Sequence, residues 1–176
     1  MATRIGATIV AAAAVAVITA STPAQADMAA WEKRANAFAA FLPGALPGWR
    51  ATRRAIHVQN SAFGGRIVEG KRIYRKNKWA GVDSMMIAIS NQPNGKPIYT
   101  AKYFKDAAAA EKAGYKKITL VGRPALMKTK GRNVDIRIML KNQVTVSVLG
   151  KKFTPKDAEP YLKRMKLKKL GAMNAK

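Results

Sequence analysis

The sequence predicts an α+β domain in which an antiparallel sheet of about six strands is covered by an N-terminal, a central and a C-terminal helix, an arrangement close to an α/β/α sandwich. Three observations carry this. Apolar residues recur at helical spacing in three separated stretches. Between those stretches they recur at every second position, as in half-buried strands. The strand-like runs follow one another through short turns rich in Gly, Pro and Asn, which join antiparallel neighbours.

Residues 1–26 stand outside this domain. Met1 to Arg4 form a short positive start, residues 5–20 carry no charge, and Ser21-Thr22-Pro23 lead into Ala24-Gln25-Ala26. Positive, apolar and small-residue regions in that order make a cleavable secretory signal, with processing expected between Ala26 and Asp27. The apolar run is near the lower limit of the roughly 20 residues that cross a bilayer. Its compact form fits bacterial export to the periplasm or beyond. Residues 27–170 are expected to be one globular domain, and residues 171–176 a short tail.

The elements follow in order. Asp27 is a candidate N-cap for a first helix whose apolar stripe is Trp31, Ala35, Phe38 and Leu42, and which Pro43-Gly44 ends. Leu46-Pro47-Gly48-Trp49 reads as a tight turn. Residues 50–60 read as extended, with a turn at Gly64-Gly65. Residues 66–76 and 82–90 form a hairpin around a loop at 77–81. The second of these strands is apolar on both faces and is expected to be central, with helices or other cover on each side. Asn91 to Pro97 is a loop. Tyr99 to Ala113 has helical composition, with Tyr103, Ala107 and Ala110 as its expected buried stripe and Gly114 as its stop. Tyr115 to Val121 is a strand, Gly122-Arg123-Pro124 a turn, Ala125 to Thr129 a strand and Lys130 to Asn133 a turn. Val134, Ile136, Ile138 and Leu140 then alternate with Asp135, Arg137, Met139 and Lys141. After a turn at 141–143, Val144, Val146 and Val148 repeat the pattern. Thr154 or Asp157 caps a last helix with Ala158, Tyr161, Leu162 and Met165 on its apolar face. Pro160 is harmless there if Asp157 is the cap, because it then lies in the first turn.

Several of these segments together resemble a group of small exported proteobacterial proteins of unassigned activity. They are Leu46-Pro47-Gly48-Trp49 after the first helix, Arg72-Ile73-Tyr74 before an apolar strand, and Ile89-Ser90-Asn91-Gln92-Pro93. Residues 118–125 (ITLVGRPA) and 144–150 (VTVSVLG) complete the set. The strand pattern is similar to the PsbP-like α/β/α sandwich. The resemblance spans roughly Phe41 to Leu170 and implies an accessory or binding role. This chain departs from the group in being far more basic. The shared segments are turn and strand residues, so no functional residue carries over.

The residues for common catalytic chemistry are missing. The chain has no cysteine and one histidine, His57, so a mononuclear zinc site built from His and Cys is not available. No serine sits in a Gly-x-Ser-x-Gly elbow, and no Gly-x-x-x-x-Gly-Lys-Ser/Thr loop is present. Met85-Met86, Met127, Met139 and Met165 lack the close spacing of copper(I) sites and read as core filling. The expectation is a protein that is not an enzyme and uses no cofactor or metal. A hydrolase with an unrecognised site is the weakest alternative.

What the chain does carry is charge. There are 33 Lys and Arg against 9 Asp and Glu, a formal net charge of +24, and Arg4 is the one charged residue within 1–26. Such an excess attracts polyanions. Two segments stand out as anion-binding candidates: Arg72, Arg75, Lys76 and Lys78, and the run Lys163, Arg164, Lys166, Lys168 and Lys169. Tyr74 and Trp79 interleave with the first and are candidate stacking rings. The expected function is a periplasmic binding or accessory protein that docks through a basic surface on an anionic partner. That partner is a membrane or other envelope polyanion, contacted peripherally, or an acidic protein. An extracytoplasmic nucleic-acid binder is the alternative.

Overall fold

A computed structural model describes residues 23–60, 66–76, 83–91, 99–140 and 144–173. The chain is α+β. Its elements are α1 (Pro23–Ala40), β1 (Arg50–Ala51), β2 (Ala55–Asn60), β3 (Arg66–Arg75), β4 (Ser84–Ser90), α2 (Tyr99–Lys105), α3 (Ala107–Lys112), β5 (Lys116–Leu120), β6 (Arg123–Lys130), β7 (Asn133–Met139), β8 (Thr145–Lys151), α4 (Pro155–Arg164) and α5 (Leu167–Leu170). All strands join one eight-stranded sheet in the order β1-β3-β4-β8-β7-β6-β5, with β2 also paired to β3. Every pairing is antiparallel.

The two faces of the sheet have different fates. Val68, Tyr74, Met85, Ile87, Ile89, Val146, Val148, Ile136 and Ile138 project from one face and are buried. Helix α1 with the turn after it supplies Phe38 and Leu42, and α4 with its C-cap supplies Ala158, Tyr161, Leu162 and Met165, to the same core. Gly70 sets how closely α1 approaches. A Cβ there would lie 2.5 Å from the Ala39 nitrogen and 2.8 Å from its Cα, so only a residue without a side chain lets this helix rest on β3. Just past the end of α1, Arg54 donates to the Leu42 carbonyl from Nε (3.1 Å) and from its terminal nitrogen (2.8 Å), tying down the turn that leaves the helix. Two tyrosines hold the turn that follows. The Tyr74 hydroxyl donates to the Pro43 carbonyl (2.9 Å), and the Leu46 N–H donates to the Tyr161 hydroxyl (3.2 Å). The Tyr74 and Tyr161 rings meet at a tilt of 52° with centroids 4.3 Å apart, and Trp49 meets Tyr161 edge-on at 6.0 Å.

The sheet and its helices are more divided than the sequence suggests. The extended segment at 50–60 breaks at Thr52–Arg54 into two strands that share the β3 edge. The central helix splits because Asp106 leaves helical geometry and accepts from the Ala109 N–H, capping α3 instead of continuing α2. Its stripe is also narrower than expected: Ala110 is buried and Tyr103 half-buried, but Ala107 is exposed. The last helix ends at Met165, and Lys166 turns left-handed (φ 49°) before α5. Helix α1 begins at Pro23, so Asp27 is not its cap but an exposed residue ion-paired to Arg66 at 3.5 Å. Thr154 is the N-cap of α4 and Pro155 its first residue. Asp157 accepts from the Thr154 N–H (2.9 Å) and hydroxyl (2.8 Å), which leaves Pro160 inside the helix rather than in its first turn. Between β5 and β6 the turn is only Val121-Gly122, both at positive φ (48° and 70°) as a two-residue hairpin requires, so Arg123 and Pro124 already belong to β6. Beyond Leu170, Met173 is partly buried against the core. The expected signal up to residue 22 and the turns at 64–65 and 141–143 lie outside the described residues.

Candidate functional site

Among the described residues, helices cover the second sheet face at one end only. Helices α2 and α3 lie over β5, β6 and β7. They bring the Tyr103 and Tyr115 rings together at 5.5 Å. Beyond them, β3, β4 and β8 present residues that are mostly only half-buried.

Register decides what this open face displays, because residues directly opposite in neighbouring strands project from the same side. One row crosses six strands: Arg50 on β1, Arg75 on β3, Ser84 on β4, Lys151 on β8, Asn133 on β7 and Lys130 on β6. Every member can donate hydrogen bonds and none is acidic. Arg50, Arg75, Lys151 and Lys130 are exposed. Ser84 and Asn133 separate the cations of β3, β8 and β6 by two strand spacings each, roughly 10 Å. Arg50 and Arg75 have no such spacer and face each other directly. Among the described residues, no carboxylate forms an ion pair with these four cations. Three more basic residues lie at this end of the sheet. The Lys152 N–H bonds the Arg132 carbonyl (2.9 Å), and the Lys76 N–H bonds the Asp83 carbonyl beside Ser84 (3.0 Å).

The next row inward is different. Ile73, Met86 and Leu149 stand side by side on β3, β4 and β8, followed by Asp135 on β7 and Lys128 on β6. Together with part of the cationic row they line a groove of about 610 Å³, with Tyr115 on its wall. Its charged end is tied together. Arg137 reaches both carboxylate oxygens of Asp135 (3.0 Å), and the Tyr115 hydroxyl donates to the same group (2.9 Å). Burial pushes the Tyr115 phenol up to about 12; the Arg137 charge opposes this and the Asp135 carboxylate adds to it. Lys128 donates to the Ala113 carbonyl at the end of α3 (2.7 Å) and lies 5.5 Å from the Tyr115 ring centre. With Asp135 neutralised by Arg137, the groove's surplus charge comes from Lys128, Lys130 and Lys151.

The structure separates the residues that the sequence grouped. Of the first segment, Arg75 joins the row, while Lys76 sits at its end, ion-paired to Asp157 at 3.5 Å. Arg72 projects from the opposite face, where its Nε donates to the Thr52 carbonyl and a terminal nitrogen to the Pro43 carbonyl, both at 2.8 Å. It braces two loops and is not displayed for a ligand. Tyr74 is fully buried and cannot stack on one. Lys78 and Trp79 lie outside the described residues. The C-terminal run is exposed: Lys163, Arg164, Lys166, Lys168 and Lys169 point outward, while Met165, Leu167 and Leu170 are buried. Lys163 is ion-paired to Glu159 at 2.9 Å. This run begins within the last turn of α4 at Lys163 and Arg164, whereas Lys76 meets the N-terminal end at Asp157. At 1.5 Å per residue Asp157 and Lys163 are roughly 9 Å apart along the helix, and α4 covers the other sheet face.

Sequence reasoning missed Lys151, Ser84, Asn133 and the alignment of Arg50 and Lys130 with Arg75. Each stands at a strand end, and only the register places them in line. His57 is exposed on β2 with its Nε2 2.9 Å from the Gln59 side-chain oxygen. No cluster of His, Asp or Glu suited to a metal occurs among the described residues. No protein-family model, curated protein or solved structure matches this chain.

Proposed function

We propose that this chain is a non-catalytic accessory protein of an exported compartment that docks on phosphate-rich polyanions through the end of its sheet. The observation that carries the reading is the row Arg50–Arg75–Ser84–Lys151–Asn133–Lys130. Like charges directly opposite in a sheet are destabilising, and the fold keeps them at exposed positions where neutral residues would serve packing equally well. Their arrangement favours a ligand with several negative charges along its length. Export is the reading of the residue 1–26 pattern. The described residues also contain no helix long and apolar enough to cross a membrane.

The titratable groups of the groove favour binding over chemistry. Asp135 is engaged by two partners, and Tyr115 keeps its proton through the neutral range. A nucleic-acid ligand is the second reading; Tyr74, buried in the core, offers it no stacking surface.

The test compares two variants of the mature protein binding long-chain polyphosphate. One is R75Q/K130Q/K151Q; the other replaces Lys163, Arg164, Lys166, Lys168 and Lys169 with Gln. Each phosphate-contacting cation contributes roughly 0.7 to the salt dependence of binding to a single-stranded polyanion. The triple variant should therefore lose about 2 from the slope of log affinity against log salt. The C-terminal variant should keep most of its affinity at moderate salt. Loss confined to the C-terminal variant would move the docking surface to α4 and α5 and overturn this reading.

A further inference from the structure

The apolar strip beside the cationic row is not explained by polyanion docking. Ile73, Met86 and Leu149 lie in register across three strands and line a groove whose rim carries Ser84, Lys151 and Lys130. The helices that cover β5 to β7 leave this strip only half-buried. An apolar floor beside convergent donors is the arrangement of a small-ligand site, and about 610 Å³ lies within the usual range of such sites, roughly 300–1,000 Å³.

From this geometry we infer that the groove holds a phosphate-headed, single-chain lipid, with its chain across Ile73, Met86 and Leu149 and its head on Ser84, Lys151 and Lys130. The inference deepens the polyanion reading and rests on it for the charged half of the site. Three features select the occupant. The apolar strip is one residue wide, bounded by the cationic row on one side and by Lys71, Ala88 and Ser147 on the other, so it accommodates one chain and not two. It crosses two strand spacings, roughly 10 Å, which is part of a chain's length. The rim offers two cations, a hydroxyl and an amide, more donors and more charge than a carboxylate uses, and suited to a phosphate. A second copy of this chain is a poor occupant, because its own excess positive charge would meet the same rim.

The experiment titrates the mature protein, labelled with ¹³C at its methionine methyls, with dodecyl phosphate below its micellar concentration. Met85 and Met86 are an internal control on one strand: Met85 is buried in the core and Met86 lines the groove. Dodecyl phosphate should shift the Met86 methyl and leave Met85 and Met165 in place. Uncharged dodecyl maltoside and inorganic phosphate should each bind at least tenfold more weakly. K130Q/K151Q should weaken dodecyl phosphate at least tenfold. M86Q/L149Q, checked for a wild-type fold by circular dichroism, should do the same while keeping full polyphosphate affinity. Equal binding of dodecyl maltoside, or shifts at Met85 and Met165 without Met86, would overturn the lipid site. If polyphosphate binds through the row but dodecyl phosphate does not bind, the lipid inference fails and the docking function stands. Failure of both ligands would remove both.

Discussion

Replacing Arg75 with glutamine should raise the stability of the fold and lower its affinity for polyphosphate at the same time. Arg75 is exposed, directly opposite Arg50 on the neighbouring strand, and no carboxylate forms an ion pair with it among the described residues. Cross-strand pairs are worth about 0.2–1 kcal/mol, with an unfavourable sign for like charges. Glutamine keeps much of the aliphatic stem and removes the repulsion, so the gain should fall within that range. For a domain of this size 1 kcal/mol moves the melting temperature by roughly 2–4 °C, which gives an expected rise of about 0.5–4 °C. The repulsion is screened by salt, so the rise should shrink as salt increases. Differential scanning calorimetry at low and moderate salt measures the first quantity. Polyphosphate titrations across the same salt range measure the second, and the slope should fall by about 0.7. A residue retained for the fold would behave in the opposite way. A melting temperature lowered by more than about 2 °C, or an unchanged salt slope, would refute the reasoning that Arg75 is kept for binding.

Other consequences can be checked separately. Gly70→Ala drives a methyl into the Ala39 backbone and should destabilise by about 1–3 kcal/mol, as overpacking does; urea denaturation would show it as a lower midpoint at unchanged slope. Tyr74→Phe removes the hydrogen bond to Pro43 and should cost about 1 kcal/mol of stability without changing polyphosphate affinity; a loss of binding at full stability would return Tyr74 to the ligand site. The Tyr115 phenol is raised in the folded state to about 12 from about 10 unfolded, so its contribution is complete below pH 10 and is lost as pH rises toward 12. Tyr115→Phe should therefore flatten part of the alkaline decline in melting temperature and leave the profile below pH 9 parallel to wild type. Mass spectrometry of the protein from its own cells should find Asp27 at the N-terminus; an intact Met1 on membrane-bound protein would remove the export reading.

Local patterns already specify much of this protein. Periodicity placed the helix face of Tyr161, Leu162 and Met165 against the core and assigned the α+β class, because burial repeats at 3.6 or 2 residues whatever the neighbours are. The apolar character of both faces of Met85 to Ile89 correctly marked a central strand, now seen between β3 and β8. Composition established the excess of positive charge. The tertiary structure decided where that charge converges. Arg72 and Arg75 are three residues apart, yet one braces loops on the helix-covered face and the other stands in the exposed row, because successive strand residues point to opposite sides. Tyr74, between Arg72 and Arg75 in sequence, is a core ring for the same reason. Lys130 and Lys151 are neighbours in function only because β7 and β8 fold back with Asn133 opposite both. Pairing register is a long-range property that no local pattern contains, and the cationic groove is built from it.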